Sequence, residues 1–404
     1  MKTANCLAAA VLTLSAGSLE AKGNPFREAP EKYWDLNQLK AAPAFRDVPF
    51  EDSKVKGLRA VLVTGYGPAA DDKSLSAPSP KPLSAKVKAE FFAYIGIPEG
   101  PVPKGGFPGI VLIHGGGGTA FPQYVRLWMK HGYAVIALDW YNQRPVPRGK
   151  TTESNPERVP LPGGKRQDHV SNVANMVLAH SLLRSLKNVD PEKTAFVGLS
   201  WGSWYGAMVA AVDPRFKGGV EIYCGDLRRS KAFINGRFHH AAKIPLYWVA
   251  GTNDQNVTPA TLKAAFKECA KLENKSLVIR LPHSHVGFNF DSCLRMAGHF
   301  TQGKPGLPKL SDISRKGNRV SARILTPGKG IKRAILCYTD STDKIYHKRL
   351  WKSIPAKIEK DVISAELPAG AHQFFLSAYD QESRYHDLCG STLPVILPLP
   401  KTNQ

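Results

Sequence analysis

The stretch Thr194–Gly202, Thr-Ala-Phe-Val-Gly-Leu-Ser-Trp-Gly, carries the first chemical signal in the chain. An apolar run, Ala195-Phe196-Val197, ends at Gly198, and the small and apolar residues Ser203–Ala211 after Gly202 read as a helix. Strand, sharp turn, helix is the context in which a G-x-S-x-G motif lifts a serine hydroxyl above the edge of a sheet. Gly198 and Gly202 let strand and helix approach, and Ser200 between them is expected in a strained backbone conformation. A hydroxyl held in this way attacks an acyl carbon once three helpers are present. A base takes its proton, a carboxylate orients the base, and backbone N–H groups receive the oxyanion.

Each helper has a candidate at a strand end. Leu246-Tyr247-Trp248-Val249-Ala250 runs into Gly251-Thr252-Asn253-Asp254, and Asp254 is expected to orient the base. Leu277–Leu281 reads as the last strand before Pro282-His283-Ser284-His285. Two histidines compete there. His285 is expected to be the base, because Val286-Gly287-Phe288 gives it a small, yielding neighbourhood; His283 is the alternative. Gly115 or Gly116, in the turn His114-Gly115-Gly116-Gly117-Gly118, is expected to join Trp201 as an oxyanion donor, with His114 supporting the turn. Trp140, Tyr141, Arg144 and Trp204 are candidate substrate contacts, the aromatic faces for a sugar ring and the guanidinium for an anion. Packing is the competing reading for the aromatics. Glu221 and Asp226 are alternative acids, less well placed than Asp254.

The elements that must position these residues alternate along the chain. Continuous apolar runs at Gly109–His114, Tyr133–Asp139 and Gly219–Cys224 join those already named. Helical patterns fall between them at Phe121–His131, from Asp168 to Leu186, over Thr258–Ala270 and over Asp291–Phe300. That alternation predicts an α/β fold with a mainly parallel sheet covered on both faces. Leu58–Tyr66 and Lys86–Ile95 read as leading strands. Beyond a Gly/Pro/Lys linker at Gly303–Ile313 the period shortens. Val320–Ile324, Arg333–Tyr338, Ile358–Glu366 and Gln373–Ala378 predict a small β-sandwich. The expected organisation is a leader at 1–21, a catalytic domain with an N-terminal extension at 22–307, and a β-domain at 308–404.

The leader has a basic residue at Lys2, an apolar core at Leu7–Leu14 and small residues at Ala16, Gly17, Ser18 and Ala21, which predicts export. There is no apolar run long enough to span a bilayer. Removal of Cys6 with the leader would leave an odd number of cysteines and hence a free thiol. Cys337 with Cys389, and Cys269 with Cys293, are the pairings considered. No C-x-x-C or Cys/His cluster is present, so neither metal nor cofactor is expected, and His239-His240 reads as a surface turn. The formal charge of +22 favours anionic partners. The basic residues are scattered and no nucleic-acid motif accompanies them, which argues against a nucleic-acid role and leaves an acidic polysaccharide as the sharper partner.

Taken together, His114–Gly118, Gly198–Gly202, Gly251–Asp254 and Pro282–His285 resemble the dienelactone-hydrolase-like and acetylxylan-esterase-like α/β-hydrolases, including secreted bacterial members with a C-terminal β-domain. The resemblance covers about Leu58–Phe300. It implies an α/β-hydrolase fold, the chain order Ser200, Asp254, His285, and removal of small acyl groups, often acetyl, from carbohydrates. Dienelactone hydrolase itself carries a nucleophilic cysteine where this chain has Ser200. Cocaine-esterase-like, prolyl-oligopeptidase-like and X-prolyl enzymes share parts of the layout, so a general esterase or a peptidase is the rival activity. A carbohydrate-binding protein on a catalytically retired fold is the rival of another class.

Overall fold

The computed structural model describes residues 27–49, 56–73, 79–141, 143–145, 158–161, 168–225, 233 and 236–398. The leader, Cys6 and Asp226 lie outside the described residues. Strands β1 (Phe45–Asp47), β2 (Leu58–Gly67) and β3 (Val87–Gly96) lead into β4 (Phe107–Ile113) and β5 (Ala134–Leu138). A short ribbon of β6 (Gln143–Pro145) and β7 (Arg158–Pro160) comes next, then β8 (Val189–Leu199), β9 (Gly218–Ile222), β10 (Leu246–Gly251) and β11 (Leu272–Val278). Nine of these strands form one sheet in the order β1-β2-β3-β5-β4-β8-β9-β10-β11. The sheet is antiparallel as far as the β3–β5 pair and parallel from β5 to β11.

The helices are α1 (Leu36–Leu39), α2 (Pro122–Lys130), α3 (His169–Ser185), α4 (Trp201–Val212), α5 (Pro259–Glu268) and α6 (Asp291–Gln302). Successive side chains of a strand point to opposite faces. Val111 and Ile113 of β4 therefore join the core under α3, α4 and α5. Ile110 and Leu112 join the core under α2 and α6. Both faces are buried, which is why β4 and β5 read as unbroken apolar runs. No helix among the described residues is long and apolar enough to cross a membrane.

The C-terminal strands are β12 (Lys309–Leu310), β13 (Ser314–Lys316), β14 (Arg319–Thr326), β15 (Arg333–Thr339), β16 (Lys352–Glu359), β17 (Val362–Glu366), β18 (Gln373–Tyr379), β19 (Cys389–Ser391) and β20 (Val395–Ile396). Seven of them pair antiparallel in the order β12-β14-β17-β16-β15-β18-β19, with β13 beside β14 and β20 beside β18, around one core that includes Val320, Leu336, Ile363, Phe374 and Leu376. The molecule is thus an α/β-hydrolase fold followed by a small antiparallel β-unit. The run Ile358–Glu366, expected as one strand, is a hairpin between β16 and β17, with Lys360 in the turn at φ 54°.

Strand β11 begins earlier than its apolar run suggests. Four of its first five residues, Leu-Glu-Asn-Lys-Ser, are polar, yet Asn274, Lys275 and Ser276 are buried. The C-terminal unit supplies partners for Asn274, Ser276 and the Leu277 amide. Asn274 Nδ2 donates to Pro308 O at 2.9 Å, Ser276 Oγ donates to Cys389 O, and Ser391 Oγ receives Leu277 N–H at 3.0 Å. A buried ion pair from Arg295 of α6 to Asp380, at 2.9 Å, closes the same junction.

All five described cysteines are free thiols, so neither disulfide considered from sequence is present. Cys337 on β15 faces Phe375 of β18 and Cys389 on β19 faces Tyr379, so two strand spacings and a four-residue offset along β18 separate them, beyond disulfide reach. Cys269 packs against the core beneath α5, and Cys293 lies in the core on the opposite face of the sheet.

Candidate active site

Ser200 sits between β8 and α4 with φ 55° and ψ −117°, a conformation that costs a non-glycine residue free energy. Close packing enforces it. A Cβ on Gly198 would lie 2.3 Å from Gly202 O, and a Cβ on Gly202 would lie 2.1 Å from Ile113 O. Only glycine fits at either place. The Ser200 N–H is held by Ile222 O of β9 at 2.8 Å, and its carbonyl accepts from Ser203 N at 2.8 Å. The hydroxyl is thereby fixed at the C-terminal rim of the sheet, with the free N-terminal amides of α4 next to it.

Asp254 comes after β10 and is fully buried. Its Oδ1 accepts from the amides of Asn256 at 2.7 Å and Val257 at 2.9 Å, and its Oδ2 meets His283 Nδ1 at 2.7 Å. His283 Nε2 stands 2.8 Å from Ser200 Oγ. The carboxylate only accepts, so His283 carries its proton on Nδ1 and presents Nε2 to the Ser200 hydroxyl. The geometry therefore corrects the expectation for His285. His283 occupies the place between serine and acid. His285 begins the next helical turn (His285–Asn289), with its ring 5.4 Å from that of Phe121 and its Nε2 3.0 Å from where a Cβ on Gly118 would lie. Burial, with His114 and His283 nearby, lowers the pKa of His285.

Two loops must be brought together to join Asp254 to His283. A Cβ on Gly251 would lie 1.9 Å from Leu281 O, so the strand-end loops touch backbone to backbone. Thr252 Oγ1 accepts from Arg280 N at 3.0 Å, and Arg280 turns the chain at φ 60°. The C-terminal unit holds this junction from outside. Arg280 Nε donates to Trp351 O at 2.9 Å, and Asn253 Nδ2 donates to His347 O at 2.8 Å and Arg349 O at 2.9 Å. The Tyr223 ring packs 4.6 Å from the His283 ring, and Tyr223 itself is at φ 61°. Neither Tyr223 nor these braces carry a sequence signal, because they depend on contacts between distant segments.

The glycine turn faces Ser200. A Cβ on Gly115 would lie 3.2 Å from Ser200 Cβ, and one on Gly116 would lie 2.9 Å from Trp201 Cδ1. Gly118 N–H is committed to Gly115 O at 3.0 Å and Gly117 N–H to Tyr141 Oη at 2.9 Å. Gly115 and Gly116 are the turn residues whose amides remain for an oxyanion. His114 supports the turn, its Nδ1 2.8 Å from Gly115 O and its ring stacked on Trp140 at 4.9 Å.

The expected aromatic platform is corrected in part. Trp140 is buried and donates from Nε1 to His114 O at 2.7 Å. Trp204 is buried and donates to Gly225 O at 2.6 Å. Both are packing residues, because their indole N–H groups are used internally and their faces are covered. Trp201 and Tyr141 are partly exposed, and Arg144 is partly exposed on β6. His239, expected in a surface turn, is buried with Nε2 3.5 Å from Cys224 Sγ.

No curated protein matches the chain by sequence. Among solved structures it is similar to an acetyl xylan esterase from Paenibacillus sp. R4, with TM-score 0.47 and 16% identity over 65% of this chain and 92% of that one. It is also similar to acetyl xylan esterase 1 from Thermoanaerobacterium sp. JW/SL YS485, with TM-score 0.43 and 16% identity over 69% of this chain and 94% of that one. A cold-adapted esterase from an Arctic intertidal metagenomic library aligns with TM-score 0.42 and 16% identity over 64% of this chain and 100% of that one. The dienelactone hydrolase family model matches residues 91–292, half of the 404-residue chain and the whole segment that holds Ser200, Asp254 and His283. The chain belongs to the dienelactone hydrolase family.

Proposed function

We propose that this hydrolase is a serine carboxylic ester hydrolase that removes acetyl groups from a polysaccharide or oligosaccharide. The observation that carries the reading is the unbroken relay from Ser200 Oγ through His283 to Asp254, at 2.8 and 2.7 Å. Ser200 Oγ attacks the ester carbonyl while its proton passes to His283 Nε2. Asp254 stabilises the imidazolium that forms. The amides of Trp201 and of Gly115 or Gly116 receive the oxyanion, each worth about 3 kcal/mol of barrier. His283 then protonates the departing alcohol, and a water activated by the same imidazole releases the acid from the acyl-enzyme. No step calls for a metal or an organic cofactor.

A carbohydrate substrate is the part of the proposal that rests on the resemblance and on charge. A net charge of +22 draws anionic polymers, and Arg144 with the partly exposed Trp201 and Tyr141 would meet them. Export through the leader would deliver the enzyme to such a substrate, and the mature N-terminus is expected near residue 22. The intact relay favours an enzyme over a retired binding protein. The test is acetate release from neutral and acidic acetylated polysaccharides, with Ser200→Ala as control. Release by the native chain alone, greatest on an acidic glycan, is the expected result. Cleavage of a small activated ester without release from any glycan would leave a general esterase or peptidase. Turnover of neither would overturn the enzymatic reading.

A further inference from the structure

A second cluster of reactive side chains lies beside the nucleophile strand and takes no part in the relay. Glu221 on β9 pairs with Gly198 of β8, and Cys224 lies three residues further on. His239 arrives from the 3-10 turn His239–Ala241. All three are buried, and one donor atom from each lies within 4.8 Å of the others. The Cys224 Sγ to His239 Nε2 distance is 3.5 Å. Two ligands of a tetrahedral zinc ion, at about 2.3 Å for sulfur and about 2.0 Å for nitrogen, stand about 3.5 Å apart.

The carboxyl group gives an independent pointer. Glu221 is fully buried, and neither of its oxygens meets an N–H or O–H donor; the weakly donating Cys224 thiol is the polar group that faces it. A buried carboxyl so poorly supplied with donors is costly, and native structures avoid it. Without a cation, burial holds the group neutral and pushes its pKa up to about 8. Burial also raises the Cys224 thiol well above its ordinary range. A divalent ion answers both problems, since one thiolate and one carboxylate cancel its charge in a dry site. Thiolate, imidazole and carboxylate together suit zinc-class ions, whereas magnesium and calcium prefer all-oxygen sets.

We propose that Glu221, Cys224 and His239 form a binding site for a divalent transition metal of the zinc class, which ties the end of β9 to the turn at His239. Binding displaces the thiol proton and the carboxyl proton to solvent and leaves one coordination position for water or another donor. The surroundings are shaped for it. Gly206 brings α4 so near that a Cβ there would lie 3.2 Å from Glu221 Oε1, and the Trp248 ring packs 5.1 Å from that of His239. The ion braces the scaffold next to Ser200 and takes no part in the ester chemistry.

The experiment uses the full chain. Its metal content is measured as purified, the metal is stripped with a chelator, and cobalt(II) is titrated back. The expected result is about one zinc-class ion per chain and, with cobalt, a thiolate-to-metal charge-transfer band in the near ultraviolet that zinc abolishes. Thermal stability should rise with the ion and fall with the chelator. The band should vanish in Cys224→Ser and persist when Cys269, Cys293, Cys337 or Cys389 is singly replaced by serine. Persistence in those four assigns the ligand even where Cys224→Ser does not fold. Absence of bound metal together with no cobalt band, including after refolding with cobalt present, would overturn the proposal, as would a band that survives Cys224→Ser.

Discussion

The proposed nucleophile and its proposed base are held by different strategies. Ser200 is fixed in good part by its own turn, where Gly198 packs on Gly202, and by the backbones of the adjoining strands, with Ile113 O of β4 against Gly202 and Ile222 O of β9 on the Ser200 amide. His283 and Asp254 are fixed by segments far away in sequence. They depend on Leu281 against Gly251, Tyr223 against the imidazole, and the Asn253 and Arg280 hydrogen bonds to residues 347–351 of the C-terminal unit. Local enforcement writes a motif into the sequence, whereas enforcement at a distance does not. The C-terminal unit is accordingly part of what holds the acid and base in register.

The sharpest way to break this comparison is to remove the groups themselves. Ser200→Ala and His283→Ala are each expected to lower kcat on an activated ester by on the order of 10⁴ to 10⁶. His285→Ala should lower it by less than about tenfold, because His285 reaches neither Ser200 nor Asp254. Steady-state kinetics of the three variants decides between the histidines. Asp254→Asn comes next, with an expected loss of about 10⁴ in kcat, since the amide favours the wrong imidazole tautomer.

A smaller effect tests how each half is held. Gly202→Ala places a Cβ against a backbone oxygen that cannot move alone, so denaturant unfolding should show a loss of about 3 kcal/mol or more. Asn253→Ala leaves Asp254 in place but removes its outside brace. It should lower kcat by about three- to tenfold with little change in KM, and it should leave the unfolding midpoint nearly unchanged. Equal damage to stability by both substitutions would erase the distinction between local and distant enforcement.

The smallest effect concerns acid. His169, beside Tyr205 of α4, and His180, between Asp213 and Thr194, are kept neutral by burial, each pKa lowered from 6.5 to about 4. The unfolded chain takes up protons that the folded chain refuses. Their contribution is therefore complete above about pH 6.5 and is lost as pH falls towards 4, at about 1.4 kcal/mol per pH unit for each histidine. Both lie in the nucleophile half, so hydrogen exchange at falling pH should loosen α3 and α4 before the loops that carry Asp254 and His283.

Legibility in the sequence divides along the same line. The alternation of buried strands and helices is readable because both faces of the parallel sheet are apolar, and the elbow because only glycine fits at its two ends. The start of β11 is hidden, since Asn274, Lys275 and Ser276 look like loop residues until the C-terminal unit covers them. The small, yielding stretch Val286-Gly287-Phe288 favours His285 over His283, but which imidazole meets Ser200 and Asp254 is decided by where β10 and β11 set their loops. Trp140 and Trp204 look available for sugar because their indole N–H partners, His114 O and Gly225 O, are backbone atoms that no spacing reveals. The cluster at Glu221, Cys224 and His239 is hidden for a related reason, with its third member fifteen residues further along the chain than Cys224.

In the proposed mechanism, Ser200 owes its nucleophilicity to His283. Active-site labelling with a fluorophosphonate, followed by peptide mapping, tests it without knowledge of the substrate. The label is expected on Ser200 in the native chain and in His285→Ala, and almost none in His283→Ala. Labelling that survives loss of His283 but disappears with His285, or that falls on another serine, would contradict it.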